Sequence, residues 1–182
     1  VFPRTIYGTI KVMEEHMCRL YAPKGLLILR ISMPYGPFWE TSTSIRKIRH
    51  RGAVINFLWQ GLHRLSMPVH KGARRSLCWI GDIVRAVRML MEQDRNGIWN
   101  IGRDDVYMPI LRIAEMACEM TRAPEGLIKE VPAPLERTLG KNLSMAKIRT
   151  IGWEPEVSLE EGMRKTLEWV RLLPSPSEVD LD

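Results

Sequence analysis

The stretch PRTIYGTIKVMEEHMCRLYAPKGLLILRISMPYGP, residues 3–37, holds a helix-forming segment followed at once by a strand-forming one. Apolar residues recur at helical spacing over residues 8–21, and a Pro and a Gly then end the pattern, which predicts an amphipathic helix. Residues 25–32 are a short apolar run bounded by Gly and Pro, typical of a strand buried on both faces. Residues 33–39 predict a turn. A helix that leads directly into a buried strand is typical of α/β proteins.

The remainder of the chain continues this alternation. Asp82 is a candidate N-cap for a helix over residues 83–93, and Pro109 suits the start of the next helix. Ser158 and Glu161 have the spacing of a capping box, which predicts the last helix. Other predicted elements are helices over 53–62, 110–121 and 144–152, extended segments over 67–81 and 125–134, and a strand over 97–102. The fold class is therefore α/β with a mainly parallel sheet, of which only two or three strong strands are present.

Length, charge and cysteine content narrow the class of protein. The 182 residues suffice for one domain with a sizeable core, and the longest apolar runs are too short to cross a bilayer. The formal net charge of +6 favours anionic partners. The cysteines Cys18, Cys78 and Cys118 are odd in number and widely spaced, so we expect free thiols in a reducing compartment. Because no signal peptide is visible, the predicted location is cytoplasmic.

Tyr7 and Lys11 are four residues apart, so on a helix they lie on the same face. An ammonium beside a phenol stabilises the phenolate and lowers the tyrosine pKa from its unperturbed value of about 10. Such a tyrosine exchanges a proton with an alcohol near neutral pH. The same spacing also occurs where a tyrosine and a lysine stem merely pack on a helix surface, and the pair alone does not separate the two interpretations.

Further motifs accompany the Tyr–Lys pair along nearly the whole chain. The strand after the helix ends in Leu29 and Arg30 and leads into Tyr-Gly-Pro at residues 35–37. The segments RSLCWIGDIVRAV, GIWNIG and LSMAKIRTIGWEPEVSLEEGMRKTLEWV follow in that order, at 75–87, 97–102 and 143–170. In this combination and order, the motifs resemble those of the extended short-chain dehydrogenase/reductases, the NAD-dependent epimerase/dehydratase family.

The resemblance implies a domain organisation. Residues 1–37 and a returning strand near 97–102 would form the rear half of a Rossmann-type parallel sheet. Most of residues 38–174 would form the small C-terminal substrate-binding subdomain, and residues 175–182 would be a mobile tail.

The resemblance also implies roles for individual residues. Tyr7 would be the general acid/base on a sugar hydroxyl, and Lys11 would lower its pKa and bind the nicotinamide ribose of NAD or NADP. Arg75 would bind the diphosphate of a nucleotide-sugar, for which the paired donors of a guanidinium are suited. The residues implied to lie against the nicotinamide are Ser32, Met33 and Pro34. Met33 would also face the substrate, where the family often has an Asn that contacts the nucleotide-sugar.

The chain departs from the family in lacking a G-x-x-G-x-x-G loop, an acidic ribose ligand and a catalytic Ser/Thr ahead of the Tyr-Lys helix. Without a glycine turn that feeds a helix N-terminus, the sequence has no recognisable pyrophosphate cradle. We therefore expect the dinucleotide-binding half to be absent from this chain, which alone would bind NAD(H) weakly and not turn over substrate. We also expect a homo-oligomer, or a partner chain that supplies the missing strands, because an unpaired strand edge associates readily.

A second interpretation is a non-catalytic α/β module that binds an anionic partner through a basic face. Basic residues cluster over 44–52 and 70–75, and Trp39, Trp59 and Trp79 lie near them in sequence. Nucleic-acid binding would need these aromatic rings to be accessible for stacking. The alternative is that the clusters form a solvated rim around the pocket of an anionic substrate. The histidines and cysteines show no metal-ligand spacing, so no metal site is predicted.

Overall fold

The computed structural model of the protein describes residues 3, 5–22, 25–38, 52–133 and 140–176. The helices are α1 (Ile6–Tyr21), α2 (Ala53–Leu62), α3 (Ile80–Glu92), α4 (Ile110–Thr121), α5 (Ala146–Arg149) and α6 (Leu159–Val170). The strands are β1 (Leu27–Ile31), β2 (Met33–Tyr35), β3 (Met67–His70), β4 (Arg74–Trp79), β5 (Gly97–Ile101), β6 (Tyr107–Pro109), β7 (Ile128–Val131) and β8 (Gly140–Lys141). None of the described helices has both the length and the apolar character that crossing a bilayer requires.

Strands β1 and β5 form a parallel pair in register from Leu27 opposite Gly97 to Ile31 opposite Ile101. Parallel strands need a crossover connection, and α3 lies in the chain between these two strands. The predicted α/β class is confirmed, and these two strands are those expected at 25–32 and 97–102. Among the described residues β1 pairs with β5 alone, so its other edge has no strand beside it.

A second sheet begins where β1 ends. Its strands lie in the order β2-β4-β6, with β8 also pairing with β4, and β2 runs parallel to β4. The prediction of a turn over 33–39 is therefore wrong for residues 33–35, which form β2. Pro34 has no N–H to donate, and β2 is an edge strand in which one side needs no donor. A third, two-stranded parallel sheet is made by β3 and β7.

Two groups of buried residues make the core. The larger one is formed by α2, α4 and α6 against the second and third sheets, and includes Ile55, Leu58 and Met67. The smaller one lies between α3, α5 and β5, and includes Trp99 and Trp153. Helix α1 contributes no buried residue to either group. Its apolar face is exposed, with Ile10, Met13, Met17 and Leu20 between 48% and 78% exposed.

Asp82 connects α3 to the loop that precedes α6. Its carboxylate accepts the backbone N–H groups of Glu156 and Val157, each at 3.1 Å, and the side chain is almost fully buried. Arg85 Nη2 lies 3.2 Å from the same carboxylate. The prediction that Asp82 caps a helix over 83–93 is wrong, because α3 begins at Ile80 and places Asp82 in its first turn. The Asp82 carboxylate instead accepts hydrogen bonds from backbone N–H groups that are distant in sequence.

Tyr35, the tyrosine of the Tyr-Gly-Pro motif, is buried against α6. A Cβ atom added at Gly162 would lie 2.3 Å from the Tyr35 hydroxyl, so the ring occupies the space that glycine leaves open. Burial raises the pKa of Tyr35, so this phenol stays protonated. The Tyr35 ring thus joins β2 to the last helix.

Several local predictions are confirmed. Ser158 is the N-cap of α6, and its hydroxyl accepts the N–H of Glu161 at 3.2 Å. Gly152 follows α5 with a left-handed φ of 80°, a conformation that favours glycine. Pro109 directly precedes α4. The three cysteines are free thiols, and burial raises the pKa of Cys78 to about 12.

Candidate active site

A cleft of about 580 Å³ opens between α1, the end of β1 and the start of the second sheet. Residues from four separate parts of the sequence line it, and they include Tyr7, Lys11, Ser32, Met33, Arg75 and Ser76. Five of these six were predicted as site residues. Pro34, the remaining predicted one, is exposed on β2 and is not among the lining residues. The cleft lies where the chain passes from one sheet to the next, a common position for ligand sites in α/β proteins.

Tyr7 and Lys11 lie side by side on the first turns of α1. The Lys11 Nζ atom is 5.6 Å from the centroid of the Tyr7 ring, and Tyr7 is 60% exposed. Lys11 also forms an ion pair of 2.7 Å with Glu14, which raises its pKa, so the side chain is a cation at neutral pH. The hydroxyl of Thr5 caps the helix by accepting the N–H of Gly8 at 3.0 Å. This cap fixes the start of α1 two residues earlier than the sequence pattern predicted.

A two-bond ion pair attaches α1 to β1. The Arg30 guanidinium donates from Nε and Nη2 to the two carboxylate oxygens of Glu15, each at 2.7 Å. Both residues line the cleft. Hydrogen bonding from Arg30 is the main cause that lowers the pKa of Glu15, and the pair is partly buried. Because two parallel hydrogen bonds fix the geometry, the pair sets the position of the Tyr7–Lys11 helix over the strand.

We expect the Glu15–Arg30 pair to make stability depend on pH. A carboxyl whose pKa is lowered by folding stabilises the protein above the ordinary glutamate value of 4.5, and this contribution is lost as the pH falls through the lowered pKa of the folded state. Replacement Glu15→Gln should therefore cost about 1 kcal/mol of unfolding free energy at pH 7 and less at pH 3. Urea unfolding at both pH values measures the difference.

The exposed pair of Arg88 and Glu92 provides the matched control for this experiment. Its side chains are 77% and 60% exposed, so Glu92→Gln should change the free energy of unfolding by only a few tenths of a kcal/mol at either pH. An equal loss for Glu15→Gln at pH 7 and pH 3 would show that the ion pair does not hold α1 in place.

Ser32 lies at the point where the chain changes sheets. Its N–H donates to the Ile101 carbonyl at 2.9 Å, and the next residue, Met33, pairs with Leu77 of β4. The Ser32 hydroxyl is buried and has no hydrogen-bond partner within the described part of the chain. A Cβ atom at Gly102 would lie 2.2 Å from this hydroxyl, so glycine is needed beside it. The residues in contact at this point belong to the sequence motifs on which the family resemblance rests.

The charges around the cleft favour an anion. Lys11, Arg30 and Arg75 line the cleft as cations, and Lys11 and Arg30 are paired with Glu14 and Glu15, so these five side chains carry a net charge of 3 − 2 = +1. Arg75 lies in β4, and one of its guanidinium nitrogens donates to the Arg74 carbonyl at 2.7 Å. An arginine beside two further cations is a suitable partner for a phosphate group.

The basic segments considered for nucleic-acid binding give less support to that interpretation. Most of the 44–52 cluster and Trp39 lie outside the described residues. Trp59 is 2% exposed, so its ring is not accessible for stacking on a base. Arg74 packs over the ring of Tyr107, with Cζ 5.0 Å from the centroid, and donates to its carbonyl. Within the described ranges, no three His, Cys, Asp or Glu side chains are grouped as metal ligands.

Comparison with known proteins identifies the family of the chain. The sequence model of the NAD dependent epimerase/dehydratase family matches residues 1–102. UDP-glucuronic acid decarboxylase 6 of Arabidopsis thaliana is 33% identical over 168 residues, which cover 89% of this chain and 46% of that protein. This chain therefore spans about half the length of the curated relatives that it matches.

Solved structures agree with the family match. UDP-glucose 4-epimerase of Thermotoga maritima, solved with UDP-glucose, is 28% identical and superposes with a TM-score of 0.76, covering 91% of this chain and 53% of that one. UDP-glucuronic acid 4-epimerase of Bacillus cereus, in complex with UDP-glucuronic acid and NAD, has the same fold, with a TM-score of 0.79 at 21% identity over 93% of this chain and 54% of that one. The chain belongs to the NAD dependent epimerase/dehydratase family and has a Rossmann-type α/β fold.

Proposed function

We propose that this chain is the substrate-side portion of an NAD(P)-dependent nucleotide-sugar epimerase/dehydratase. In this proposal Tyr7 takes a proton from a sugar hydroxyl and returns one. The Lys11 ammonium stabilises the phenolate during that exchange, which is a standard way to make a tyrosine an acid/base catalyst. The catalytic residues are thus Tyr7 and Lys11.

One observation carries the proposal: the cleft brings together residues that are far apart in sequence but have related roles. Tyr7 and Lys11 come from α1, Ser32 and Met33 from the sheet junction, and Arg75 from β4. A tyrosine and a lysine that merely packed on a helix surface would not need to face an arginine and a buried polar junction. The arrangement supports proton transfer on a bound anionic ligand.

The cofactor in this proposal is NAD or NADP. The residues present fit the nicotinamide end of such a molecule, because Lys11 provides a cationic donor and Ser32 has a buried hydroxyl with no partner in the described ranges. Since the chain has no Gly-rich loop, the pyrophosphate would be held by another stretch of polypeptide. When bound, the nicotinamide would accept hydride from, and return it to, the carbon that bears the hydroxyl on which Tyr7 acts.

The substrate in this proposal is a nucleotide-sugar. The relatives with UDP-glucose or UDP-glucuronic acid bound support it, as does the positive charge around the cleft. Arg75 would bind the phosphates. Met33 would face the sugar, and because a thioether is a poor hydrogen-bonding group, other polar side chains must determine which hydroxyls are recognised.

The exposed face of α1 and the free edge of β1 support a further polypeptide at this side of the chain. Ile10, Met13 and Met17 are each about half exposed on one face of α1. An apolar helix face beside an unpaired strand edge is normally covered. We propose that either a chain that supplies the dinucleotide-binding half or a second copy of this chain covers it.

The free thiols are in keeping with a cytoplasmic location.

We expect Arg75→Ala to weaken the binding of UDP-glucose. Charge-assisted hydrogen bonds contribute about 1.5–3 kcal/mol, so the affinity should fall about 10- to 100-fold. Isothermal titration calorimetry of the chain measures the change, with Arg88→Ala as the control because Arg88 is exposed on α3 and paired with Glu92. Binding that is absent from the unaltered chain, or equal in both variants, would contradict the proposal.

A further inference from the structure

One buried hydroxyl in the cleft has no role in the function proposed above. Ser76 lies in β4 between Arg75 and Leu77 and is 2% exposed. Its hydroxyl has no hydrogen-bond partner in the part of the chain that the structure describes. Buried hydroxyls are normally hydrogen-bonded, because an unpaired one has lost its interaction with water without replacing it. A buried hydroxyl without such a partner in a ligand cleft therefore indicates that a ligand supplies the hydrogen bond.

The position of Ser76 relates it to the sheet junction. Met33 of β2 is in register with Leu77 of β4 in a parallel pair. Ser32 and Ser76 each directly precede one of these two residues, so they occupy equivalent positions where the strands meet. Both line the cleft, and neither hydroxyl has a partner among the described residues. The junction thus carries two neighbouring polar groups without internal partners.

The chemistry of this position selects a neutral partner. A serine hydroxyl both donates and accepts one hydrogen bond, as a sugar hydroxyl does. Arg75 and Lys11 already provide charged donors for an anion in the same cleft. Ser76 is instead 2% exposed, and such burial makes the desolvation of a charged phosphate unfavourable.

We infer that Ser76 is a ligand-binding residue that hydrogen-bonds a neutral hydroxyl of the sugar in the cleft and so contributes to sugar specificity. The inference rests on the proposed function and adds a residue to it. A serine side chain has three staggered rotamers, so a change of χ1 rotamer can aim the hydroxyl at an arriving ligand. Met33, which cannot provide such a bond, lies on the neighbouring strand.

A ligand-binding hydroxyl and a structural one respond differently to removal. Ser76→Ala deletes a group without an internal partner, so the midpoint of urea unfolding should stay the same or rise. The same change should weaken UDP-glucose binding on the order of tenfold, the size expected for one lost hydrogen bond. Binding of UDP, which lacks the glucosyl group, should not change. Ser66→Ala, in the exposed loop before β3, is the control for both measurements.

Calorimetric titration of the unaltered chain and both variants with UDP-glucose and with UDP tests the inference. The expected result is a loss confined to Ser76→Ala with UDP-glucose, at unchanged or higher stability. UDP-glucose binding that Ser76→Ala leaves intact overturns the inference alone, as does an equal loss for UDP or a large loss of stability. An unaltered chain that binds neither ligand overturns the proposed function and this inference with it.

Discussion

Replacement of Tyr7 by phenylalanine is expected to lower turnover by about 10²- to 10⁴-fold in the enzyme that contains this chain. The change removes one oxygen atom, and with it the group that would exchange a proton with the sugar hydroxyl. Tyr7 is 60% exposed and does not belong to either of the two described core groups, so the fold should tolerate the change. The assay uses the chain fused to, or co-expressed with, a polypeptide that carries the Gly-rich dinucleotide-binding half.

Tyr21 provides the control for this prediction. It lies on the same helix and is 84% exposed, but it is not among the residues that line the cleft. Tyr21→Phe should keep full activity, and both variants should bind UDP-glucose nearly as tightly as the unaltered enzyme. Activity of Tyr7→Phe within threefold of the unaltered enzyme would exclude Tyr7 as the acid/base.

Asp82→Ala is expected to lower the free energy of unfolding by about 3–5 kcal/mol. It would leave the N–H groups of Glu156 and Val157 without their acceptor and remove the carboxylate beside Arg85. Typical domains are stable by only 5–15 kcal/mol, so the loss is a large part of the total. Urea unfolding followed by circular dichroism would measure it as a lower midpoint at an unchanged slope.

Two further variants separate the causes of this loss. Asp82→Asn keeps the shape and one acceptor oxygen, so it should lose about half as much stability. Glu168→Ala, at an exposed position of α6, should change the free energy of unfolding by less than about 0.5 kcal/mol. If Asp82→Ala behaved like Glu168→Ala, the carboxylate would not hold the loop before α6 to α3.

The elements that the sequence predicts correctly are those whose signals are local. Periodic apolar residues gave α2 and α4, the capping residues gave the start of α6, and apolar runs gave β1 and β5. In each case the helix or strand is specified by residues within a few positions of one another. The Tyr-x-x-x-Lys spacing is also local, and the structure places the two side chains on the same helix face.

The features that the sequence does not reveal depend on contacts between distant residues. Strand β2 is short and contains a proline, and only its pairing with β4 makes it a strand. Asp82 has the residue type of an N-cap, but its acceptor oxygens are used by amides more than seventy positions away. The bond between Glu15 and Arg30 likewise joins two motifs that sequence reasoning treats as independent.

The exposed apolar face of α1 is another feature that the sequence alone does not explain. The apolar spacing of Ile10, Met13 and Met17 predicts a helix correctly but does not say what the apolar face contacts. Periodicity reports that a face is apolar, and burial depends on which other elements are present. The orphaned hydroxyl of Ser76 gives no signal at all, since a single serine in a strand is ordinary until its surroundings are known.

The most direct test of the account is a titration of the chain with UDP-glucose while the ring resonances of its four tyrosines are followed by NMR. The resonances of the Tyr7 ring, which lines the cleft, should shift saturably, whereas those of Tyr21 on the exposed end of α1 and of buried Tyr35 should stay constant. A Tyr7 ring that stays constant while the ligand binds, or shifts at Tyr21 instead, would contradict the claim that the Tyr7–Lys11 cleft is the substrate site.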